Sequence, residues 1–158
     1  MFLAASNASH GVSQVMFYVK TLLVGFSAAL CAWLLNRLLL HLGVHGVPAL
    51  LGPVIEETLK TGLALAAGAS LAGVHSTFGL IEGLWELPAG SPLGAPAAPL
   101  RGYPVAWIGP ALAAWGGHSF FGLLVLLTYT RTGHPGTAWA MGLLAHLAWN
   151  RAVLALHR

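Results

Sequence analysis

The chain has 158 residues, of which 57% are hydrophobic and 7% are charged, so it has too few polar side chains to cover the surface of a soluble domain. Its formal net charge of +3 comes from basic residues that are scattered singly, which argues against a nucleic-acid interface. The single cysteine, Cys31, excludes a disulfide framework and a thiolate metal site.

The apolar residues fall into long runs separated by short breaks, which is typical of several membrane-spanning helices. We predict an all-α fold, a polytopic transmembrane helical bundle of about five spans that forms a single domain over residues 1–158. The first residues lack a basic segment followed by a cleavable apolar run, so we expect no signal peptide. The predicted spans cover residues 15–40, 47–71, 72–87, 105–129 and 137–156, with one loop at 88–104.

The first two predicted spans differ in what they carry. Lys20 and Asn36 lie near the two ends of the first span, where polar side chains reach the membrane surface, and we predict no chemistry for them. The second span contains Glu56, Glu57 and Lys60 within apolar sequence. A charge at the bilayer centre costs roughly 2.5 to 3.5 kcal/mol on insertion scales, so such groups normally face partners or water.

Polar side chains also interrupt the later spans. Glu82 lies in the third, which is short for a full crossing, His118 in the fourth, and His146 and Asn150 in the fifth. At about 1.5 Å per helical residue, Glu57, Glu82 and His146 lie about 14 to 15 Å from the starts of their spans, near the middle of a hydrocarbon layer roughly 30 Å thick. By the same measure His118 lies about 20 Å from the start of its span.

Helical spacing groups these side chains into stripes. Glu56 and Glu57 precede Lys60 by four and three residues, and His146 precedes Asn150 by four, so each set shares a helix face. Mutual pairing inside the bundle hides such stripes at the lowest cost. We therefore expect a hydrated polar pocket near the middle of the membrane, where a carboxylate can take a proton from water.

Four segments carry a family resemblance. Residues 53–60, PVIEETLK, resemble the P-x-x-E-E-x-x-K signature of the PrsW family of glutamic intramembrane proteases. In the family's order, residues 78–82 resemble its F-x-x-x-E element, residues 118–122 its histidine-bearing element and residues 146–150 its closing H-x-x-x-N element. The resemblance covers roughly residues 48–151, and that family is distantly similar to the CAAX prenyl endopeptidase and bacteriocin-processing (CPBP/Abi) superfamily.

The resemblance implies an intramembrane endopeptidase that performs site-1-type cleavage of a membrane-anchored protein substrate. It implies a multi-pass location in a prokaryotic inner membrane, with lipid and the substrate as partners and no cofactor. The catalytic residues that it implies are Glu56, Glu57, Glu82, His118, His146 and Asn150, with Lys60 and Phe78 in support.

A hypothesis for the mechanism follows. Glu57 or Glu56 acts as general base on a water, and Lys60 tunes the pair of carboxylates. His146 and Asn150 are candidate hydrogen-bond donors to the oxyanion. The remaining pair, the fourth-span histidine and the third-span glutamate, would position the water or transfer its proton to the leaving amine.

Two alternatives stay open. In a metal-dependent protease, Glu57, Glu82, His118 and His146 would be ligands of a divalent ion such as zinc, although no H-E-x-x-H spacing favours it. In a non-catalytic membrane protein of the same fold, the buried charges would serve a binding partner or a proton or ion pathway. We expect Glu86 to be interfacial. His75 lies one turn before Phe78 near a span end, and we expect it to lie outside the site, with lining of the site as the less favoured alternative.

Overall fold

The computed structural model describes residues 2–89 and 105–156, and within them the chain forms five α-helices and one π-helical turn. The helices are α1 (Phe2–His41), α2 (Gly52–Ala67), α3 (Leu71–Ala89), α4 (Val105–Thr132) and α5 (Pro135–Leu156), and the π-helical turn Val47–Leu51 precedes α2. The predicted all-α fold is confirmed. Of the predicted loop, residues 88 and 89 belong to α3, and the rest lies outside the described residues.

Helix ends differ from the prediction most clearly between α2 and α3. The second span was predicted to continue to residue 71, but α2 ends at Ala67 and α3 begins at Leu71. Gly68 explains the break, because it adopts a left-handed conformation with φ of +58° and its N–H caps the carbonyls of Ala64 and Leu65. In addition, α1 begins well before residue 15, at Phe2.

The start of α2 fixes where its polar side chains point. Pro53 stands in the first turn of the helix, where its missing N–H has no partner to lose. The residues that α2 buries recur at helical spacing on one face: Gly52, Pro53, Glu56, Glu57, Lys60, Thr61 and Ala64. The polar stripe of α2 therefore faces the interior of the bundle.

Helices α3 and α4 approach each other closely through glycines. A Cβ atom at Gly79 would lie 2.6 Å from Cβ of His118, and one at Gly83 would lie 2.7 Å from the carbonyl oxygen of Ala111. Gly79 and Gly83 are four residues apart, the spacing of small residues that lets two helix backbones pack together. This contact sets the depth of the His118 side chain.

Two apolar clusters flank the buried polar side chains. One joins Ala64, Leu71, Val74, Val125 and Ala138, and the other joins Ala28, Ala29, Ala32 and Phe78. Lys60 lies against the second cluster, with Nζ 4.3 Å from the ring centre of Phe78. Glu57 lies near the first, because a Cβ at Gly142 would approach both Val125, at 2.6 Å, and Oε2 of Glu57, at 2.8 Å.

Two of the described helices are long and apolar enough to cross a membrane. These stretches are Gly11–His41 within α1 and Gly109–Thr132 within α4, and in the most apolar part of each only 28% of the residues are buried inside the protein. Large apolar side chains are also exposed on α3 and α5, for example Leu84 and Leu144. The outer surface of the bundle is therefore apolar on several sides.

Candidate active site

A cluster of buried ionisable side chains lies between the helices. Helix α2 contributes three members of the cluster. Of these, Glu57 and Lys60 are 0% exposed, and Glu56 is also buried. The other helices add Asn36 from α1, His75 and Glu82 from α3, His118 from α4 and His146 from α5. Buried charges are tolerated only when they are paired and hydrogen-bonded, so the contacts within this cluster define what each group can do.

Glu57 has partners on both carboxylate oxygens. Oε1 lies 2.6 Å from Nζ of Lys60 and 3.0 Å from Nδ1 of His146. Oε2 lies 3.0 Å from Nε2 of His75. Glu57 thus links three helices, and its hydrogen-bonding positions are occupied by the protein itself.

The ammonium group of Lys60 is held by three kinds of partner. Besides the Glu57 carboxylate, Nζ donates to Nδ1 of His118 at 2.9 Å and lies over the face of the Phe78 ring. It is 3.9 Å from Oε2 of Glu56. An ammonium has three N–H donors, and Glu57 and His118 engage two of them. The third N–H is therefore available to a group bound beside Glu56.

The Lys60 contact fixes the tautomer of His118. Because an ammonium can only donate, Nδ1 of His118 accepts, and the ring proton of the neutral imidazole lies on Nε2. Nε2 donates to Oε2 of Glu82 at 2.5 Å. The Glu82 side chain is 33% exposed, so this pair extends from the buried cluster toward the surface.

His146 presents its other nitrogen to Glu56. Its Nδ1–H donates to Glu57, so the neutral ring carries a lone pair on Nε2, which lies 3.9 Å from Oε2 of Glu56. The ring stacks on Phe121, with centroids 5.2 Å apart, and stands perpendicular to the ring of His118. These aromatic contacts hold the imidazole in one orientation.

The carboxylate of Glu56 has fewer hydrogen-bond partners than the carboxylate of Glu57. Its Oε1 accepts a long hydrogen bond of 3.4 Å from Nδ2 of Asn36. Its Oε2 is buried and has no hydrogen-bond partner among the described residues. Lys60 Nζ and His146 Nε2 both lie 3.9 Å from this oxygen, a separation that a bridging water or small group can span. Glu56 is therefore the carboxylate best placed to bind a water.

The structure thus brings most of the predicted site residues together. These are Glu56, Glu57, Lys60, Phe78, Glu82, His118 and His146. Asn150 is half-buried and forms no side-chain hydrogen bond within the described ranges. The side chain of Glu86 lies outside the described residues.

Sequence reasoning missed Asn36 and treated lining of the site by His75 as the less favoured alternative. His75 is fully buried, and its ring nitrogens lie 2.9 Å from the carbonyl of Leu71 and 3.0 Å from Oε2 of Glu57. Its spacing, three residues before Phe78 and seven before Glu82, placed it on the same helix face and was the available signal. Asn36, expected at a span end, reaches Glu56 only because α1 packs against α2, and no sequence pattern carries that information.

Of the four predicted metal ligands, Glu57 is paired with Lys60 and Glu82 with His118. The structure instead groups one ligand atom each from Glu56, His118 and His146, within 4.8 Å of one another. Both ring nitrogens of His118 are already engaged, one by a cation at 2.9 Å. A metal ion here would have to displace the Lys60 ammonium or lie beside its charge.

No family model, curated protein or solved structure matches the chain. The resemblance to the PrsW family therefore rests on the four motifs.

Proposed function

We propose that this chain is an intramembrane endopeptidase that hydrolyses a peptide bond of a membrane-anchored protein, with Glu56 as general base. The observation that carries the proposal is the buried, unpartnered Oε2 of Glu56, which faces Nε2 of His146 at 3.9 Å. A carboxylate oxygen and an imidazole lone pair can accept the two hydrogens of a single water, and this orients the water and increases its nucleophilicity.

A multi-pass membrane location accords with the distribution of polarity, and its assignment to a prokaryotic inner membrane rests on the family resemblance. Leu22 on α1 is 56% exposed and Leu144 on α5 is 64% exposed, whereas Lys60 is 0% exposed. Apolar side chains outside and ionisable side chains inside are typical of a bundle whose solvent is lipid. The 19 residues of α3 extend about 28 Å, close to the thickness of the hydrocarbon layer, which supports α3 as a further span beside α1 and α4.

The proposed reaction needs water and no cofactor. The water oxygen attacks the carbonyl carbon of the scissile bond while Glu56 takes one of its protons, and the carbonyl oxygen becomes an oxyanion. As the tetrahedral intermediate collapses, the C–N bond breaks and the proton on Glu56 passes to the leaving amine. The free N–H of Lys60 is the nearest cationic donor to the developing charge, and Asn150, one turn beyond His146, is a second candidate donor.

The rest of the cluster maintains this arrangement. Glu57 binds the Nδ1–H of His146 and so leaves its Nε2 free to accept from the water. Glu82 accepts the Nε2–H of His118 and so leaves Nδ1 of His118 free to accept a hydrogen bond from Lys60. We assign Glu57, Glu82 and His118 to positioning, and Glu56 and His146 to contact with the water.

Cleavage by purified protein in lipid vesicles tests the proposal. The probe is a pool of single-span reporter proteins with randomised sequence next to the membrane, and mass spectrometry identifies the products. Glu56→Gln keeps the size of the side chain and removes the base, so we expect cleavage to fall about 10²- to 10⁴-fold. Equal cleavage by wild type and Glu56→Gln would overturn the assignment, and Gln14→Leu on the exposed part of α1 is the matched control.

A second candidate function is a proton pathway. Hydrogen bonds run without a break from the partly exposed Glu82 through His118, Lys60 and Glu57 to His75. Such series of ionisable groups inside spans are typical of proton relays. Proton flux in vesicles that Glu82→Gln abolishes, without cleavage of any reporter, would favour this function over proteolysis.

A further inference from the structure

His75 belongs to none of the four motifs, yet it is fully buried beside the ionisable cluster. It is 0% exposed, and α4 covers it at Gly122, where a Cβ atom would lie 2.5 Å from Cβ of His75. In the same way Gly79 of α3 lies against His118, so each helix of this pair carries a histidine that packs on a glycine of the other. This close packing holds the His75 ring beside Glu57.

Both ring nitrogens of His75 face an oxygen. Nδ1 lies 2.9 Å from the carbonyl oxygen of Leu71, one turn earlier in α3, and a carbonyl can only accept a hydrogen bond. Nε2 lies 3.0 Å from Oε2 of Glu57. A neutral imidazole has one N–H, so either tautomer would leave a nitrogen lone pair against an oxygen lone pair inside the protein. The two contacts therefore need two protons, one on Nδ1 and one between Nε2 and Glu57.

The contacts of Glu57 decide which of the two groups holds the second proton. Its Oε1 lies 2.6 Å from Nζ of Lys60 and accepts the Nδ1–H of His146 at 3.0 Å. An adjacent ammonium and hydrogen bonds to the carboxylate both favour its ionised form. A protonated Glu57 would also leave the buried ammonium of Lys60 without its closest counter-ion, which is strongly unfavourable. The second proton therefore belongs to the ring.

We infer that His75 is a buried imidazolium that offsets the charge of Glu57 and so acts as a further positioning residue of the site. Its protonation state follows from its two contacts alone, whereas its role in cleavage rests on the proposed function. No motif of the sequence contains this residue.

A second buried cation changes the charge balance of the site. Within the described residues the cluster has three carboxylates, those of Glu56, Glu57 and Glu82, and one ammonium, that of Lys60. With His118 and His146 neutral, protonation of His75 brings the net charge of the cluster from −2 to −1. Neighbouring like charges oppose each other's ionisation, so the added cation helps both adjacent carboxylates to be ionised at once. The general base needs its ionised form to take a proton from the attacking water.

His75 acts on the attacking water only through its neighbour. Its ring contacts Leu71 and Glu57, and Glu57 in turn orients His146. Because the ring is fully buried, the substrate does not touch it. Loss of its charge should therefore lower kcat and leave KM nearly unchanged.

Nuclear magnetic resonance of the wild type measures the protonation state directly. The protein is labelled with 15N in its histidine rings and placed in lipid nanodiscs at neutral pH, and the His75 ring is assigned through its own backbone amide. We expect both ring nitrogens to have the chemical shift of a protonated nitrogen. One protonated and one bare nitrogen would overturn the inference.

His75→Gln tests the role of the charge in cleavage. The side-chain amide of glutamine can donate to Glu57 in place of Nε2–H, so the variant keeps this hydrogen bond and removes the positive charge. We expect kcat to fall about 10- to 100-fold, less than for loss of a donor that touches the oxyanion, with KM nearly unchanged. His134→Gln, at an exposed position between α4 and α5, is the matched control and should cleave like the wild type.

The outcomes separate this inference from the proposed function. If the wild type cleaves the reporters and folded His75→Gln protein has the same kcat, the inference is overturned and the peptidase stands. If His75→Gln does not fold, the ring spectrum of the wild type still decides between imidazolium and neutral imidazole. If no protein cleaves any reporter, the proposed function fails, and the same spectrum supports or overturns the imidazolium by itself.

Discussion

Glu56 and Glu57 are adjacent in the chain, yet one carboxylate is saturated by the protein and the other is not. Lys60, His75 and His146 occupy the oxygens of Glu57, whereas Oε2 of Glu56 has no hydrogen-bond partner within the described residues. One residue along a helix turns the side chain by about 100°, which is enough to separate a group that organises the site from a group whose second oxygen is left for a water.

The difference between the two carboxylates predicts that Glu57 contributes mainly to the stability of the folded protein. Glu57→Gln would strand the buried ammonium of Lys60, and breaking a buried pair by removing one partner typically lowers the free energy of unfolding by about 3 to 5 kcal/mol. Unfolding in detergent, followed by circular dichroism, measures the loss. The Glu57→Gln, Lys60→Met double variant removes both charges and should recover most of it. A double variant no more stable than Glu57→Gln would contradict the pairing.

His75 should support the same carboxylate. In His75→Phe, Oε2 of Glu57 and the carbonyl of Leu71 both lose their contact with a ring nitrogen while the ring volume is roughly kept. We expect a loss of about 1 to 3 kcal/mol in the free energy of unfolding, because buried acceptors would be left unsatisfied. His134→Phe, at an exposed position between α4 and α5, is the control and should change little. Equal stability of both variants would count against the role of His75.

The contact between α3 and α4 predicts a sharp difference between two glycines. A Cβ at Gly79 would lie 2.6 Å from Cβ of His118 and 2.9 Å from the carbonyl of Ala114, so Gly79→Ala must push the helices apart. We expect it to lower the free energy of unfolding by about 1 to 3 kcal/mol and to reduce cleavage through displacement of His118.

Gly116 on α4 is the matched control for that substitution. No atom lies within 4 Å of a Cβ built there, so Gly116→Ala should be neutral or stabilising by up to about 1 kcal/mol. Thermal unfolding of the two alanine variants side by side gives the comparison. A Gly79→Ala protein as stable as Gly116→Ala would show that the helices do not approach as closely as described.

Metal chelation should leave cleavage unchanged. The ammonium of Lys60 lies 2.9 Å from His118 and 3.9 Å from Glu56, two of the three residues that could hold a divalent ion, so its positive charge opposes one there. We therefore expect the same rate before and after dialysis against a strong chelator, and less than one equivalent of zinc by elemental analysis. Activity lost to the chelator and restored by zinc alone would instead support a metal-dependent site.

Local sequence patterns predicted which face of α2 is polar, but not the different roles of the residues on that face. Spacing of three and four residues places Glu56, Glu57 and Lys60 on one side of a helix, and all three are buried on that side. Helical spacing alone, however, hardly distinguishes Glu56 from Glu57. Their separation into a saturated and an unsaturated carboxylate depends on His75 and His146, which reach Glu57 from two other helices.

Tertiary packing also explains the remaining differences. The break between the second and third spans was predicted at residue 71, a few residues beyond Gly68, because hydropathy does not locate a turn within a run of small residues. Asn36 was assigned to a membrane surface from its place near the end of an apolar run, yet the crossing of α1 with α2 brings it to Glu56. Neither feature follows from the composition or periodicity of a single segment.

The central claim is that Glu56 and His146 together hold the water that attacks the substrate. An experimental structure of the protein in lipid, at a resolution that resolves ordered solvent, tests it most directly. The account predicts one water within hydrogen-bonding distance of both Oε2 of Glu56 and Nε2 of His146. A Glu56 side chain turned toward lipid, or paired directly with Lys60 so that no water fits between it and His146, would contradict the account.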